Sequence, residues 1–333
     1  MACVGGGKKV SIQEVSRLSG VSVATVSRVI HQNGRFSAET EKRVRQVMEE
    51  LHYTPDALAQ GMRLRTLPMV GIIVPDILDE RYGNMVRSTQ RLLFEKGYSA
   101  VIFNSNESGE QSQRFIDSLK SQHASGLIYV PDSRSPQVEL REIPTVFFER
   151  HPAFGRLENS VQIEMNDCEC AYEAMKHLLD RGCRRVAVLG DRLGVSSATA
   201  RTQGALQALE EAGMTAASLM RVDPQRTSEA VAAMEKIAQE SKDLDAVFCI
   251  SPRLTVGALK VLNEQERAAR RVTVMGIGEH RLHTYGLLDY LAVREPIEEM
   301  AEAAARSVIR LIQKRPVGQP EPFRAQLICG KAK

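Results

Sequence analysis

The sequence predicts an all-α helix-turn-helix unit at the N-terminus, followed by a two-lobed α/β core with parallel sheets. Capped helical patterns fill residues 11–51, and from Met69 onward strand-like apolar runs alternate with helix-like stretches. The length of 333 residues suits two or three domains. Positive charge is concentrated at the N-terminus, since residues 1–66 contain 10 Lys or Arg against 6 Asp or Glu, a net charge of +4.

The first predicted helix begins at a capping box. Ser11 and Glu14 have the spacing at which each side chain bonds the other residue's backbone amide. Gly20 ends the helix, because glycine tolerates the left-handed backbone of a sharp turn. The apolar face expected for this helix consists of Ile12, Val15 and Leu18.

The second predicted helix presents the residues that are expected to reach DNA. Ser22 can cap it, and its inward face is expected at Val26, Val29 and Ile30. The outward face near the N-terminal end consists of Val23, Ala24, Ser27 and Arg28. In a helix-turn-helix this end contacts base edges in the major groove. The alternative, two unrelated amphipathic helices, does not explain why the excess of positive charge coincides with them.

A third helix and a linker complete the N-terminal region. Ser37 can cap this helix, and its apolar stripe consists of Val44, Val47, Met48 and Leu51. Pro55 ends the helical pattern, because proline disfavours helix in the residue before it. We therefore predict a headpiece at residues 1–53 and a hinge at residues 54–66. A helix in the hinge would be too short to fold without a partner.

Residues 67–333, which we call the core, are predicted to form two lobes. Strands are expected at Val70–Val74, Ala100–Phe103, Leu127–Val130, Thr145–Phe148, Val186–Leu189, Ala246–Ile250 and Val272–Met275, with helices between them. Ligands bind beyond the carboxyl ends of such strands, so the groove between the lobes is the expected site. The first lobe would contain residues 67–165 and 295–333, and the second would contain residues 166–294.

Several other classes of protein are disfavoured. No apolar run reaches the roughly 18 residues of a membrane span, and no secretory signal is present, so we expect a cytoplasmic protein. The six cysteines fit free thiols, because Cys168, Cys170 and Cys183 lack the usual zinc spacings. No catalytic or complete nucleotide-binding motif is legible. We therefore expect no enzyme activity, no cofactor and no metal.

These motifs closely resemble those of the lactose/galactose-repressor (LacI/GalR) family of bacterial transcription regulators. Residues 21–30 resemble the recognition helix of the galactose-repressor branch. Tyr53-x-Pro55, Ala59 and Arg65-Thr66 resemble the family's hinge, and residues 70–76 resemble the opening of its core. The resemblance runs from about Lys9 to Leu327. It implies a periplasmic-binding-protein-like core and a chain that crosses back to the first lobe near Arg294-Glu295-Pro296.

The resemblance also implies roles in binding DNA. Val23 and Ala24 would contact thymine methyl groups, and Arg28 would donate to a guanine. Phosphate contacts would come from Ser11, Ser22, Ser27, His31, Ser37, Thr40 and Tyr53. In the hinge, Met62 would enter the minor groove as an apolar wedge, beside Ala59, Gln60 and Arg63. Asp56 and Gly61 depart from the family pattern and predict a weakened hinge.

The same resemblance implies an effector site at the strand ends. Its candidate residues are Asp79, Tyr82, Arg150, Arg201, Ser251 and Glu279. Tyr82 would stack on the ligand, and two arginines in one groove would suit a phosphate or carboxylate. The alternative is that each arginine is solvated or bridges the lobes.

Three pairs of residues depart from the family's sugar-binding pattern. Ser251-Pro252 replaces Asn-Asp, Gly278-Glu279 replaces Asp-Asp, and Asn166-Asp167 inverts Asp-Asn. These changes disfavour an ordinary free hexose. They leave either a modified ligand, such as a sugar phosphate or sugar acid, or an effector site that has been lost.

The sequence therefore predicts a repressor that binds a pseudo-palindromic DNA operator as a homodimer and responds to a small carbohydrate-type effector. The alternative is a DNA-binding regulator whose core senses a partner protein or has lost its small-molecule effector. A dimer is favoured over a tetramer, because the C-terminus carries no heptad repeat.

Overall fold

The computed structural model describes residues 10–31, 34–51, 53, 67–132, 140, 143–152, 158–191, 194–223, 226–265, 272–279 and 290–328. The chain divides into two compact units, Met1–Leu67 and Pro68–Lys333. The predicted hinge, residues 54–66, lies outside the described residues. Among the described residues, no helix is both long enough and apolar enough to cross a membrane.

In the described part of the N-terminal unit, three helices are present: α1 (Ile12–Ser19), α2 (Val23–His31) and α3 (Ala38–Glu50). The predicted capping box is present, because the Ser11 side chain accepts from the Glu14 amide and Glu14 accepts from the Ser11 amide. Gly20 follows α1 with a φ of 68°, the left-handed conformation that the turn requires. Ser22 and Ser37 accept hydrogen bonds from the amides of Thr25 and Thr40. All three predicted caps are confirmed.

The core of this unit consists of valines, with one correction to the prediction. The buried hydrophobic side chains are Val15, Val26, Val29, Val44 and Val47. Leu18 was expected to face inward, but it is 50% exposed. Ser19 takes the inward position instead, and its hydroxyl donates to the Val15 carbonyl at 2.6 Å. A serine can be buried there because its own helix supplies the acceptor.

The first lobe contains a five-stranded parallel sheet in the order β2-β1-β3-β4-β5. The strands are β1 (Leu67–Val74), β2 (Ser99–Asn104), β3 (Ala124–Tyr129), β4 (Thr145–Phe148) and β5 (Ser160–Ile163). The helices of this lobe are α4 (Glu80–Glu95), α5 (Gly109–Ser121) and α10 (Ile297–Ile312). Gly126 lets α10 approach β3 closely, because a Cβ there would lie 2.8 Å from Val308.

The second lobe contains a six-stranded sheet in the order β11-β10-β9-β8-β6-β7. The strands are β6 (Val186–Asp191), β7 (Ser218–Val222), β8 (Ala246–Cys249), β9 (Thr273–Ile277), β10 (Leu291–Arg294) and β11 (Gln326–Ile328). Its helices pack as two pairs, α6 (Asp167–Asp180) with α7 (Ser196–Glu211) and α8 (Thr227–Glu240) with α9 (Pro252–Gln265). The predicted alternation of strands and helices in the core is confirmed.

Three segments connect the lobes. The chain crosses after β5, crosses back after Arg294 as predicted, and crosses a third time between α10 and β11. The prediction placed residues 295–333 in the first lobe. This is wrong for the last strand, because β11 pairs antiparallel with β10 in the second sheet. A three-residue edge strand has too weak a pattern to be recognised in the sequence.

Candidate functional site

The exposed face of α2 carries most of the residues predicted to contact DNA bases. Ala24 and Arg28 are exposed, and Val23 and Ser27 are half-buried. Ala24, Ser27 and Arg28 have the i, i+3, i+4 spacing of one helix face. The opposite face holds the buried Val26 and Val29, so packing against the headpiece core fixes which face α2 exposes.

The predicted phosphate-contacting residues lie mainly at helix ends. Ser11, Ser22 and Ser37 are exposed N-caps of α1, α2 and α3. The N-terminal end of a helix favours anions, because its first amides point outward and its dipole is positive there. Thr40 is half-buried and hydrogen-bonded to Ser37, and the half-buried Tyr53 packs against the headpiece core.

Part of the predicted DNA interface cannot be located. Ala59, Gln60, Met62 and Arg63 lie outside the described residues, as does the side chain of His31. One neighbour of the interface was not predicted. Gly34, with a φ of 100°, lies against Arg28, where an added Cβ would be 3.3 Å from the arginine Cδ. The glycine therefore leaves room for the stem of Arg28, and its signal in the sequence was a glycine just after the second helix.

In the core, four of the six predicted effector residues line one small cavity between the lobes. They are Asp79, Arg150, Arg201 and Ser251. This inner cavity has a volume of about 20 Å³. It has room for about one water molecule. The structure therefore brings these residues together as predicted, but around a space that is too small for a sugar.

Arg201 is the most completely paired residue of the inner cavity. Its side chain is 2% exposed, and it contacts Asp167 and Glu295 at 2.6 Å each. It also donates to the Ile250 carbonyl at 3.2 Å. Burial would lower the pKa of Arg201, but these carboxylates outweigh burial and raise it well above its usual range. The guanidinium is held in place by the protein itself.

Arg81 and Glu149 form a second buried pair next to Arg201. Arg81 contacts Glu149 at 2.8 Å, and Glu149 also accepts from the hydroxyl groups of Tyr82 and Ser197. Burial would raise the pKa of Glu149, but the charges of Arg81, Arg150 and Arg201 lower it. Ser197 belongs to the second lobe and Glu149 to the first, so this carboxylate bridges the lobes.

The structure gives Tyr82 a different place from the predicted one. The ring is fully buried and was expected to stack on a ligand. The Arg81 and Arg150 guanidinium carbons lie 4.8 Å and 5.9 Å from its centroid. The ring therefore contacts the protein's own cations, which are attracted to an aromatic face.

Arg150 is paired as well. It contacts Glu107 at 2.9 Å and the Pro131 carbonyl at 3.1 Å. Glu107 and Glu149 both have a left-handed backbone, with φ of 56° and 64°. Such strain in a non-glycine residue costs about 1–3 kcal/mol and tends to occur at functional sites. The expected use of Arg150 and Arg201 for an anionic ligand is not available in this arrangement, since both hold carboxylates of the chain.

A larger space, the outer groove, opens beside the inner cavity. Its volume is about 910 Å³, and it lies between α4 of the first lobe and the strand ends of the second. Asp79 and Glu279 line it, together with Arg81, Arg253 and Glu295. Glu279 pairs with Arg294 at 2.7 Å, and Arg253 bridges the lobes by contacting Asp76 at 2.6 Å. This groove has the size of a small-molecule site.

Sequence reasoning missed the carboxylates that neutralise the arginines. These residues are Glu107, Glu149, Asp167 and Glu295. Glu149 and Glu295 each follow a strand directly, so the strand-end rule that selected Arg150 would have found them. Within the described ranges, no group of three His, Cys, Asp or Glu side chains could hold a metal ion.

Comparison with known proteins agrees with both parts of this geometry. The family model for bacterial regulatory proteins of the lacI family matches residues 11–56. The model for periplasmic binding proteins and the sugar-binding domain of the LacI family matches residues 67–294. The second match alone spans more than half of the chain.

Named relatives and a solved structure extend the comparison. The ribose operon repressor of Halalkalibacterium halodurans is 27% identical over 313 residues, covering 92% of each chain. The HTH-type transcriptional regulator GalR of Escherichia coli K12 is 29% identical over 313 residues, covering 92% of this chain and 90% of GalR. The crystal structure of the lac repressor dimer bound to operator and the anti-inducer ONPF has the same fold, with a TM-score of 0.81 and 20% identity, covering 97% of this chain and 99% of that chain. The chain therefore belongs to the lacI family of bacterial regulatory proteins, and it is a DNA-binding transcriptional repressor.

Proposed function

We propose that this repressor binds a pseudo-palindromic operator as a homodimer in the cytoplasm and is controlled by a small carbohydrate-type effector in the cleft between its lobes. The observation that carries the proposal is the outer groove of about 910 Å³, which is lined by residues of both lobes, including Arg81 and Glu295. A ligand in this groove would contact both lobes at once. It can therefore change their arrangement by binding one arrangement more tightly.

The DNA contacts of the proposal rest on the exposed face of α2. Ala24 is exposed there and supplies a small apolar contact, and Arg28 is exposed and supplies a forked donor. A dimer would place one such face on each half-site. Effector binding that differs by about 2.7 kcal/mol between the two arrangements would change operator affinity about a hundredfold.

The proposal is tested by fluorescence anisotropy of a labelled palindromic duplex at near-physiological salt. A scrambled duplex serves as the control, and sugars, sugar phosphates and sugar acids are added in turn. We expect binding that is specific to the palindrome and is altered by at least one sugar. Equal binding to both duplexes would contradict the proposed role of α2.

A second candidate function is favoured by the inner cavity. Its volume of about 20 Å³ and its self-paired arginines are also expected if the core senses a partner protein or has lost its effector. Specific DNA binding that no compound in the panel alters would favour this alternative.

A further inference from the structure

Glu295 occupies an unusual position in the cleft. It lies in the segment that connects β10 of the second lobe to α10 of the first, and its side chain is 5% exposed. A single carboxylate oxygen, Oε1, contacts Arg201 at 2.6 Å and Arg81 at 3.5 Å. The two arginines come from different lobes, so one carboxylate serves a cation on each side of the cleft.

Gly278 of the second lobe leaves room for this carboxylate. A Cβ added to Gly278 would lie 2.9 Å from Oε2 of Glu295 and 2.5 Å from Cγ of Pro252. Gly278 has a φ of 87°, which other residues rarely adopt. Gly278 and Pro252 belong to two of the three residue pairs at which the sequence departs from the family's sugar-binding pattern. Only glycine at position 278 leaves Oε2 of Glu295 where it is.

The positive charges that line the outer groove are also balanced by carboxylates of the chain. Among the described residues, the four arginines that line this groove each contact a carboxylate within 4 Å. The pairs are Arg81 with Glu149, Arg87 with Glu298, Arg253 with Asp76, and Arg294 with Glu279. An entering anion would meet the negative charge of a carboxylate beside each of these arginines.

An uncharged, hydroxyl-bearing ligand meets no such obstacle. Each arginine–carboxylate pair offers both donors and acceptors, and a hydroxyl group can donate and accept at the same time. Two buried donors, the Nε atoms of Arg81 and Arg150, make no hydrogen bond within the described part of the chain. Both residues line the inner cavity, so these donors would become available to a ligand oxygen if the cavity widened.

We propose that Glu295 is a built-in anionic ligand of the cleft, which occupies Arg81 and Arg201 and makes the site select an uncharged, hydroxyl-rich ligand over a phosphate or carboxylate. This inference deepens the proposed effector site and rests on it. Removing the charge of Glu295 leaves two buried arginines with less compensation, and a free anion can then take its place.

The test compares the wild-type chain with Glu295→Gln in chloride and in inorganic phosphate at equal ionic strength and pH 7.5. Thermal unfolding is followed by circular dichroism, because the chain contains no tryptophan. Phosphate stabilises many proteins without binding to a site, so the measured quantity is the phosphate-minus-chloride shift relative to wild type. We expect this shift to be about 2–4 °C larger for Glu295→Gln.

Glu298→Gln is the matched control. It makes the same chemical change three residues away in the same groove, but its side chain is 69% exposed. We expect its shift to equal that of wild type. Equal shifts for all three proteins would overturn the proposal. If Glu295→Gln does not fold, calorimetric titration of the wild-type chain and of Arg81→Met with phosphate decides the matter. Saturable binding that Arg81→Met abolishes would show that the cleft accepts an anion with Glu295 in place and would overturn the proposal, and no such binding would support it.

The phosphate experiment and the DNA experiment fail independently. A larger phosphate-minus-chloride shift for Glu295→Gln, without specific DNA binding, would support the role of Glu295 and contradict the proposed operator binding. Specific DNA binding with no such increase in the shift would agree with the proposed function. It would contradict the proposal that Glu295 sets the charge of the ligand.

Discussion

Arg28 of the headpiece and Arg201 of the core are both arginines predicted to bind a ligand, but their surroundings are opposite. Arg28 is exposed on α2, and the aliphatic part of its side chain lies against Gly34. Arg201 is 2% exposed and contacts two carboxylates of its own chain. An exposed cation is available to any phosphate or base that approaches. A buried one is already compensated, so a ligand that uses it has to rearrange the protein.

The largest expected effect comes from removing the buried cation. Arg201→Met keeps an unbranched, flexible side chain but removes the guanidinium, which leaves Asp167 and Glu295 without their shortest ion pair. Breaking a buried pair from one side costs about 3–5 kcal/mol. We expect urea unfolding of the core to show a loss of this size.

Arg87→Met is the matched control for this variant. Arg87 pairs with Glu298, and both side chains are about 70% exposed. Exposed pairs contribute about 0–1 kcal/mol, so the unfolding midpoint should change little. Similar losses for both variants would mean that the buried cluster is no more than an ordinary set of surface pairs.

The next effect concerns pH. Burial raises the pKa of Asp167 to about 6, with Glu149 and Glu295 adding to it and Arg201 opposing it. Between pH 4 and 6 the folded chain therefore binds more protons than the unfolded chain, and the contribution of Asp167 makes stability fall as pH rises. Its upper bound is about 3 kcal/mol.

Asp167→Asn removes this titration. We expect its melting temperature, relative to wild type, to rise as pH increases from 4 to 6 and to level off above that. Parallel curves for wild type and Asp167→Asn would contradict the shifted pKa. Glu298→Gln provides a reference in which an exposed carboxylate is lost.

A smaller effect is expected for the exposed arginine. Arg28→Ala removes a predicted guanine contact worth about 1–3 kcal/mol, which corresponds to about 5–150-fold in affinity for each half-site. Anisotropy with the palindromic duplex measures this loss. Arg45→Ala is the control, because Arg45 is ion-paired to Glu41 on α3. An equal loss in both variants would indicate a general charge effect instead of base contact.

The smallest effect tests the corrected face of α1. Leu18→Ala should change headpiece stability by less than about 0.5 kcal/mol, because the side chain is half exposed. Val15→Ala removes buried carbon atoms worth about 1.5–2 kcal/mol. Thermal melts should therefore show a larger loss of stability for Val15→Ala than for Leu18→Ala. A larger loss of stability for Leu18→Ala than for Val15→Ala would support the inward position of Leu18 that the sequence pattern predicted.

The headpiece was largely predictable because its structure is encoded over short distances. Ser11, Ser22 and Ser37 cap helices through amides three residues away, a spacing that can be read in the sequence. Leu18 was misplaced for a related reason. The helical pattern does not distinguish Leu18 from Ser19 at the edge of the apolar face, and tertiary packing decided between them.

The cleft was predicted only in part, because its contacts join distant residues. The family resemblance pointed to Arg150 and Arg201, and both line the inner cavity. Arg201, however, pairs with Glu295, which is 94 residues away. No local pattern links these two residues. The sequence therefore predicted arginines that could bind a ligand, whereas in the structure they are paired with carboxylates of the chain. The same limit applies to Tyr82, whose position resembles that of a ligand-stacking aromatic and whose ring is buried under two arginines.

The three connections between the lobes also determine when each lobe can fold during synthesis. The sheet of the first lobe lacks the cover of α10 until residue 312 has been made, and the sheet of the second lacks its edge strand until residue 328. Neither lobe can therefore complete its fold before residue 312 has been made. The three helices of the headpiece, by contrast, are complete by residue 50. Domains generally fold as units during synthesis, so we expect the three headpiece helices to fold before either lobe of the core.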